Sequence, residues 1–140
     1  MSTHQATSIE DIQAVIAHAD HIHIQGNGSK TGLVQADCTL LDMSQLKGIL
    51  EYQPQEYTFT AYAGTPVRDI QAALGQHQQY LPCDPLLAER DATLGGSIAA
   101  NLSGSRRFRY GGLRDFLLGA TVIDGLGRVF RVGGKVVKNA

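Results

Sequence analysis

The sequence predicts an α+β fold, and three observations carry that prediction. Helix-patterned stretches alternate with short strand-like runs through the first half of the chain. The late part, from Leu117 onward, instead reads as a two-stranded hairpin. A glycine-rich, loop-rich segment lies between them. Interleaved strands and helices alone would suit a doubly wound parallel sheet, and the late hairpin turns the reading to α+β.

Each element follows from local chemistry. From Ser8 to Ala19, Ile9, Ile12, Val15 and Ile16 recur at helical spacing, and Ser8 with Asp11 forms a capping-box pattern. Ile22-His23-Ile24 alternates like a short strand, and Cys38 to Leu41 is a second apolar run ending at Asp42. Tyr57 to Tyr62 alternates threonine with aromatic residues, which suits a pleated surface. Thr65 is expected to cap a helix with Pro66 at its first position. The apolar face of that helix is Val67, Ile70, Ala73 and Leu74, and Gly75 is expected to end it. Tyr80-Leu81 is extended and cut by Pro82. Residues 83–115 are loop-rich, with only Ser97 to Asn101 briefly helical. Leu117 to Ile123 and Arg128 to Val132 read as paired strands around the tight turn Asp124-Gly125-Leu126-Gly127.

Composition bounds the function. The 140 residues include 12 basic and 13 acidic side chains, so bulk charge gives no reason to expect nucleic acid or an anionic membrane as partner. Hydrophobic residues at 43% suffice for one packed core and argue against disorder. The length suits one domain or a piece of a larger one. There is no run long and apolar enough for a membrane span, and no basic-then-apolar start, so a cytoplasmic protein is expected. Cys38 and Cys83 stand far apart and make neither a disulfide framework nor a zinc site. The histidines lack metal-ligand spacing, no GxSxG elbow is present, and no metal site is expected.

Two segments could carry chemistry. Gly26, Asn27, Gly28, Ser29, Lys30, Thr31 and Gly32 follow a strand-like run, and such a loop can turn several amides toward a phosphate oxyanion. It is not a Walker loop, because Ser29 precedes Lys30 and Ile24 stands where the first glycine is required. It misses the dinucleotide GxGxxG by one, with Thr31 in place of the third glycine. Taken alone, it favours a plain tight turn. The second segment runs from Thr93 through Gly95, Gly96 and Ser97 to Ala100 and Asn101. Its glycine pair lets a flat ligand approach the backbone. If Ser97 opens a helical turn, its amides favour an anion. Close backbone packing explains the pair equally well. Together the segments, with Asp84-Pro85 between them and no nucleophile–base pair, suit a large phosphate-bearing cofactor. The basic run Arg106-Arg107-Phe108-Arg109-Tyr110 is too short for a nucleic-acid signature, which leaves a solvated loop, a cofactor phosphate or an acidic partner.

In this order along the chain, the motifs resemble the FAD-binding domain of the vanillyl-alcohol oxidase (PCMH) type. The carriers are Gly26 to Thr31, Asp42-Met43-Ser44, Ala63-Gly64-Thr65, Leu81 to Pro85, Thr93 to Gly96, Asn101 to Gly104, Arg114-Asp115 and Gly133 to Asn139. The runs at 81–85, 101–107 and 133–139 are most similar to the FAD-binding E-type subunits of bacterial glycolate oxidases. The resemblance implies two lobes with FAD between them, the first to about residue 85 and the second from about 92, incomplete at Ala140. It implies that Gly26–Thr31 hold the pyrophosphate and Thr93–Asn101 face the flavin and ribityl chain. Asp84, Pro85, Gly104, Tyr110, Gly111 and Asp115 would also line the cofactor. The loop carries no histidine or cysteine, so FAD is expected to be non-covalent.

The activity implied is flavin-mediated oxidation of a small 2-hydroxy acid, with a second flavoprotein subunit and an iron–sulfur subunit as partners. No catalytic base is assignable, so the chain by itself is expected to be inactive. Direct membrane insertion is not expected, and peripheral attachment to the inner membrane through the complex stays open. Two alternatives also stay open: an assembly module that has lost FAD, and another flavin oxidoreductase such as a D-lactate dehydrogenase or an aldonolactone oxidase.

Overall fold

The structure is a computed structural model and describes residues 2–30 and 37–135. Its N-terminal layer is a parallel sheet of β1 (Thr3–Gln5), β3 (Thr39–Asp42) and β2 (Ile22–Gln25), with β3 in the middle. Leu41 of β3 pairs with His4 on one side and Ile24 on the other, and its side chain is buried. Helix α1 (Ile9–His18) connects β1 to β2 and lays Ile12 and Val15 on Leu41 and Ala6 to form the core. The capping box forms as expected. Ser8 Oγ accepts from the Asp11 amide at 3.2 Å, and Asp11 Oδ2 accepts from the Ser8 amide at 3.1 Å.

A second pair, β4 (Ile49–Gln53) and β5 (Thr58–Ala61), is antiparallel and joined by a 3₁₀ turn at Pro54–Glu56. Tyr57 closes that turn in the left-handed region at φ 56°, so the strand expected from Tyr57 begins one residue later. Helix α2 (Val67–Gly75) buries the expected face of Val67, Ile70 and Leu74. Its start is a correction. Pro66 is the cap, with no side-chain capping bond, and Thr65 is engaged elsewhere. The Thr65 hydroxyl donates to the Tyr62 carbonyl at 2.7 Å and accepts from the Gly48 amide at 2.9 Å, tying the corner between β5 and α2 to β4. Gly75 ends the helix as expected, as its last helical residue.

The loop-rich stretch contains more helix than its composition suggests: α3 (Leu94–Ala100), α4 (Arg107–Tyr110) and α5 (Leu113–Phe116). Three backbone bonds fasten the entry of α3 to the α2 corner. The Val67 amide donates to Ala92 O, Leu94 to Thr65 O and Gly95 to Ala63 O, each at 2.8 Å. The final hairpin, β6 (Gly119–Ile123) and β7 (Val129–Gly133), forms as expected around Asp124, whose carboxylate accepts from the Leu126 and Arg128 amides. Ile123 packs on the N-terminal core, Gln13 Nε2 donates to Gly127 O at 2.7 Å, and Lys135 pairs with Glu51.

Candidate cofactor site

The two glycine-rich segments meet. Sixty-odd residues of chain separate them, yet a Cβ placed on Gly26 would lie 2.2 Å from Thr93 Oγ1 and 2.7 Å from its methyl carbon. Only glycine lets the loop after β2 rest on the start of α3. Asn27 reinforces the contact, donating from Nδ2 to Asp91 O at 2.9 Å. Gly28 turns the loop back with φ +68°, a conformation other residues rarely adopt. Ser29 and Lys30 follow, both half-buried, and Thr31 lies outside the described residues.

Helix α3 begins at Leu94, and Thr93 caps it, its buried hydroxyl accepting from the Gly96 amide at 3.2 Å. The expectation that Ser97 opens a helical turn is therefore corrected. Ser97 sits one turn inside, and its amide donates to Thr93 O at 2.9 Å. Gly95 is confined by Ala63, whose Cβ would lie 2.7 Å from any side chain added there. Ala100 closes the helix, and Asn101 follows in the left-handed region at φ 48°.

The far end of α3 meets a second cluster. Asp84, at φ 45°, accepts the Gly104 amide on its carbonyl at 2.9 Å and the Arg106 amide on Oδ2 at 3.4 Å. A Cβ on Gly104 would collide with that carboxylate, and Pro85 bridges Ser103. Asp84 and Pro85 thus act as a clamp on the 103–106 strip. Gly111, at φ +94°, and Gly112 bring the chain back toward Asn101 and Ser103. Asp115 is turned inward, with Oδ2 accepting the Gly112 amide at 2.7 Å as the cap of α5. Tyr110 stands beside Tyr80, whose phenol pushes the Tyr110 pKa up. The Gly133 to Asn139 motif divides: Gly133 closes the hairpin against Leu118 O, and residues 136–139 lie outside the described residues.

The electrostatics of this line suit an anionic, polar ligand. Burial pulls the Lys30 ammonium below its usual pKa, and Lys30 makes no ion pair with the described residues. A partly desolvated cation beside loop amides answers a phosphate well. Ser97 Oγ and Ser103 Oγ are buried without a hydrogen-bond partner among the described residues. Orphaned hydroxyls cost stability unless something satisfies them, and a ligand with polar atoms along α3 would do so. The seven residues of α3 span about 10 Å at the usual helical rise, which matches an elongated cofactor better than a small one. Cys83 offers no attachment point. It is buried, and burial pushes its thiol pKa up.

The family model for an FAD binding domain matches residues 3–133. The chain belongs to the FAD-binding family of the PCMH type. It is 40% identical over 132 residues to glycolate oxidase subunit GlcE of Escherichia coli, covering 94% of this chain and 38% of that protein. It is 31% identical to a D-2-hydroxyglutarate dehydrogenase of Xanthomonas citri, covering 95% of this chain and 29% of the relative. Glycolate oxidase subunit GlcD of Bacillus subtilis is 30% identical, with 89% and 27% covered. The chain thus spans well under half of the length of these relatives. Among solved structures, 6-hydroxy-D-nicotine oxidase from Arthrobacter nicotinovorans superposes with a TM-score of 0.76 at 15% identity, covering 94% of this chain and 29% of that one. A Phl p 4 variant described as a glucose oxidase gives 0.78 at 14%, covering 93% and 28%. These likenesses establish the fold, and the α+β flavoprotein architecture expected from the sequence is the one observed. FAD is the cofactor of this FAD-binding domain.

Sequence reasoning missed several participants. Ala63 confines Gly95, Asp91 receives the Asn27 amide, and Ser103 presents an orphaned hydroxyl. Ala63 was legible as part of the Ala63-Gly64-Thr65 motif. Asp91 acts through its backbone carbonyl, which no side-chain pattern reports.

Proposed function

We propose that this chain is the FAD-binding part of a flavoenzyme that oxidises a small 2-hydroxy acid, and that it serves as the FAD-binding subunit of a glycolate oxidase complex. The observation that carries the flavin site is the seating of Gly26 on Thr93, which joins a phosphate-competent loop to the backbone of α3. The similarity to glycolate oxidase subunits and to a 2-hydroxy-acid dehydrogenase supports the substrate class. By this reading Gly26–Thr31 hold the diphosphate, with Lys30 as its counter-charge. Thr93, Gly95, Gly96, Ser97, Ala100 and Asn101 lie along the ribityl chain and flavin, with the Ser97 hydroxyl as a donor or acceptor to it. Asp84, Pro85, Gly104, Gly111 and Asp115 set the backbone at the far end, and Tyr110 stands beside them. The first lobe ends near residue 85 and the second begins near 92.

Bound FAD supplies the redox chemistry, accepting a hydride equivalent from the substrate's α-carbon. The residues of this chain bind it, orient it and exclude water from one side. No acid–base residue is assigned. A second flavoprotein subunit and an iron–sulfur subunit complete the proposed complex, which is cytoplasmic and reaches the inner membrane only as a peripheral assembly.

The test is the visible absorption spectrum of the purified full-length protein, before and after FAD addition and desalting. Flavin bands that survive desalting, and vanish on acid precipitation of the protein as the FAD is released into the supernatant, are the expected result. A protein that is colourless after FAD addition and desalting overturns the reading.

A further inference from the structure

A second cleft, of about 610 Å³, opens between the extended segment at Tyr80 and the start of α4, lined by Tyr80, Ser105, Arg106, Arg109 and Tyr110. Among the described residues, its lining holds two guanidiniums and no carboxylate. Neither Arg106 nor Arg109 forms an ion pair among the described residues, whereas Arg68 and Arg128 both do. Two like charges on neighbouring turns of one strip repel, and among the described residues the carboxylate tied to this strip is that of Asp84, which receives the Arg106 amide. The phenols fix the cleft's shape. The Tyr80 and Tyr110 phenols both line the cleft, and the interaction with Tyr80 is the main cause pushing the Tyr110 pKa up. Arg109 lies over the Tyr110 ring, 5.2 Å from its centre. The intervening pair is separate: Arg107 stacks on Phe108, which is 91% exposed, and neither lines the cleft. The basic run therefore sorts into two faces, one turned into a cavity and one into solvent.

We propose that this cleft is a binding site for a small oxyanion ligand, a phosphate ester or a dicarboxylate, held by the Arg106 and Arg109 guanidiniums and the Tyr80, Tyr110 and Ser105 hydroxyls. Planar guanidinium forks match the paired oxygens of both groups, and two forks favour a ligand carrying two negative charges over one. Hydroxyls at the same wall satisfy the remaining oxygens as donors. The volume lies within the usual range for small-molecule sites, about 300–1,000 Å³. The cleft shares no residue with the loop at Gly26–Lys30 and shares Tyr110 with the far end of the proposed flavin site, so titration with and without FAD separates the two.

The experiment is calorimetric titration of the full-length protein, as isolated and after FAD addition, with inorganic phosphate and with malonate in low-salt buffer. At least one anion is expected to bind in both states. R106Q/R109Q is expected to weaken that anion at least tenfold, and R107Q to change it less than twofold. Preference for phosphate identifies a phosphate-ester ligand, and preference for malonate a dicarboxylate. In parallel, phenylglyoxal labelling of the wild-type protein is read by mass spectrometry, so that the result does not depend on a variant's folding. The bound anion is expected to slow modification of Arg106 and Arg109 but not Arg107. Absence of binding by both anions, equal slowing at all three arginines, or displacement of the anion by FAD would overturn the proposal.

Discussion

At the scale of single residues, the site depends on absences of side chain. Gly26 and Thr93 occupy one volume between them, so the contact tests whether the loop and α3 form one site. In Gly26→Ala the new methyl would have to displace a buried, β-branched threonine that also caps α3. The loop is expected to lift away, weakening FAD binding at least tenfold, or about 1.4 kcal/mol. Adding Thr93→Ser removes the methyl carbon of the collision and keeps the capping oxygen, so the double variant should recover part of the loss. Affinity measured by flavin fluorescence quenching decides it: unchanged binding in Gly26→Ala would place the diphosphate elsewhere. The need for glycine at position 26 was visible in the sequence only as a glycine-rich turn. The residue that imposes it, Thr93, comes from a distant segment, and no local pattern announces that partnership.

At the scale of elements, legibility followed how local the stabilising interactions are. Helix α1 was readable because its cap, its first turn and its apolar stripe all lie within a dozen residues. The hairpin was readable because Asp124 to Gly127 encodes its own turn. By contrast, β1 is three exposed residues whose only definition is pairing with β3, thirty-odd positions away. Strand β4 carries Leu50 and Glu51 without clean alternation and is placed by β5. Thr65 misled for a related reason: a threonine before Pro66 is a good cap by sequence, but the Gly48 amide, far along the chain, competes for its hydroxyl and wins. The α1 cap also gives a pH prediction. Hydrogen bonds from Thr7, chiefly its hydroxyl, and then from Ser8 hold the Asp11 carboxyl below its ordinary pKa. A depressed folded-state pKa means that the stabilisation is present above the unfolded pKa and fades as pH falls through the folded one. Asp11→Asn should therefore lower the melting temperature near neutral pH and show a smaller further fall than the wild type below about pH 4. Parallel melting curves for the two proteins in the acid range would expose the idea as wrong.

At the scale of the whole molecule, the final hairpin raises the question of what keeps it folded. A two-stranded ribbon is marginal by itself in water, and this one leaves Leu126, Val129, Phe130 and Val132 substantially exposed. Among the described residues, its ties to the rest include Ile123 on the core of Ile12, Val15 and Leu41, the Gln13 side chain on Gly127 O, and Lys135 on Glu51. The last is an ion pair between solvent-accessible groups, which water and salt screen to a small contribution. Removing the apolar tie should therefore matter most. Ile123 is only half-buried, so Ile123→Ala is expected to cost less than the about 2–5 kcal/mol of a fully buried site. Because a weakened tie affects the weaker unit first, the hairpin should open locally before the N-terminal sheet does. Amide hydrogen exchange of the full-length variant should show faster exchange across Gly119–Gly133 while α1 and β3 keep their protection. Equal loss of protection in both regions would mean instead that the hairpin and the N-terminal sheet unfold as one cooperative unit, with the Ile123 contact belonging to a shared core.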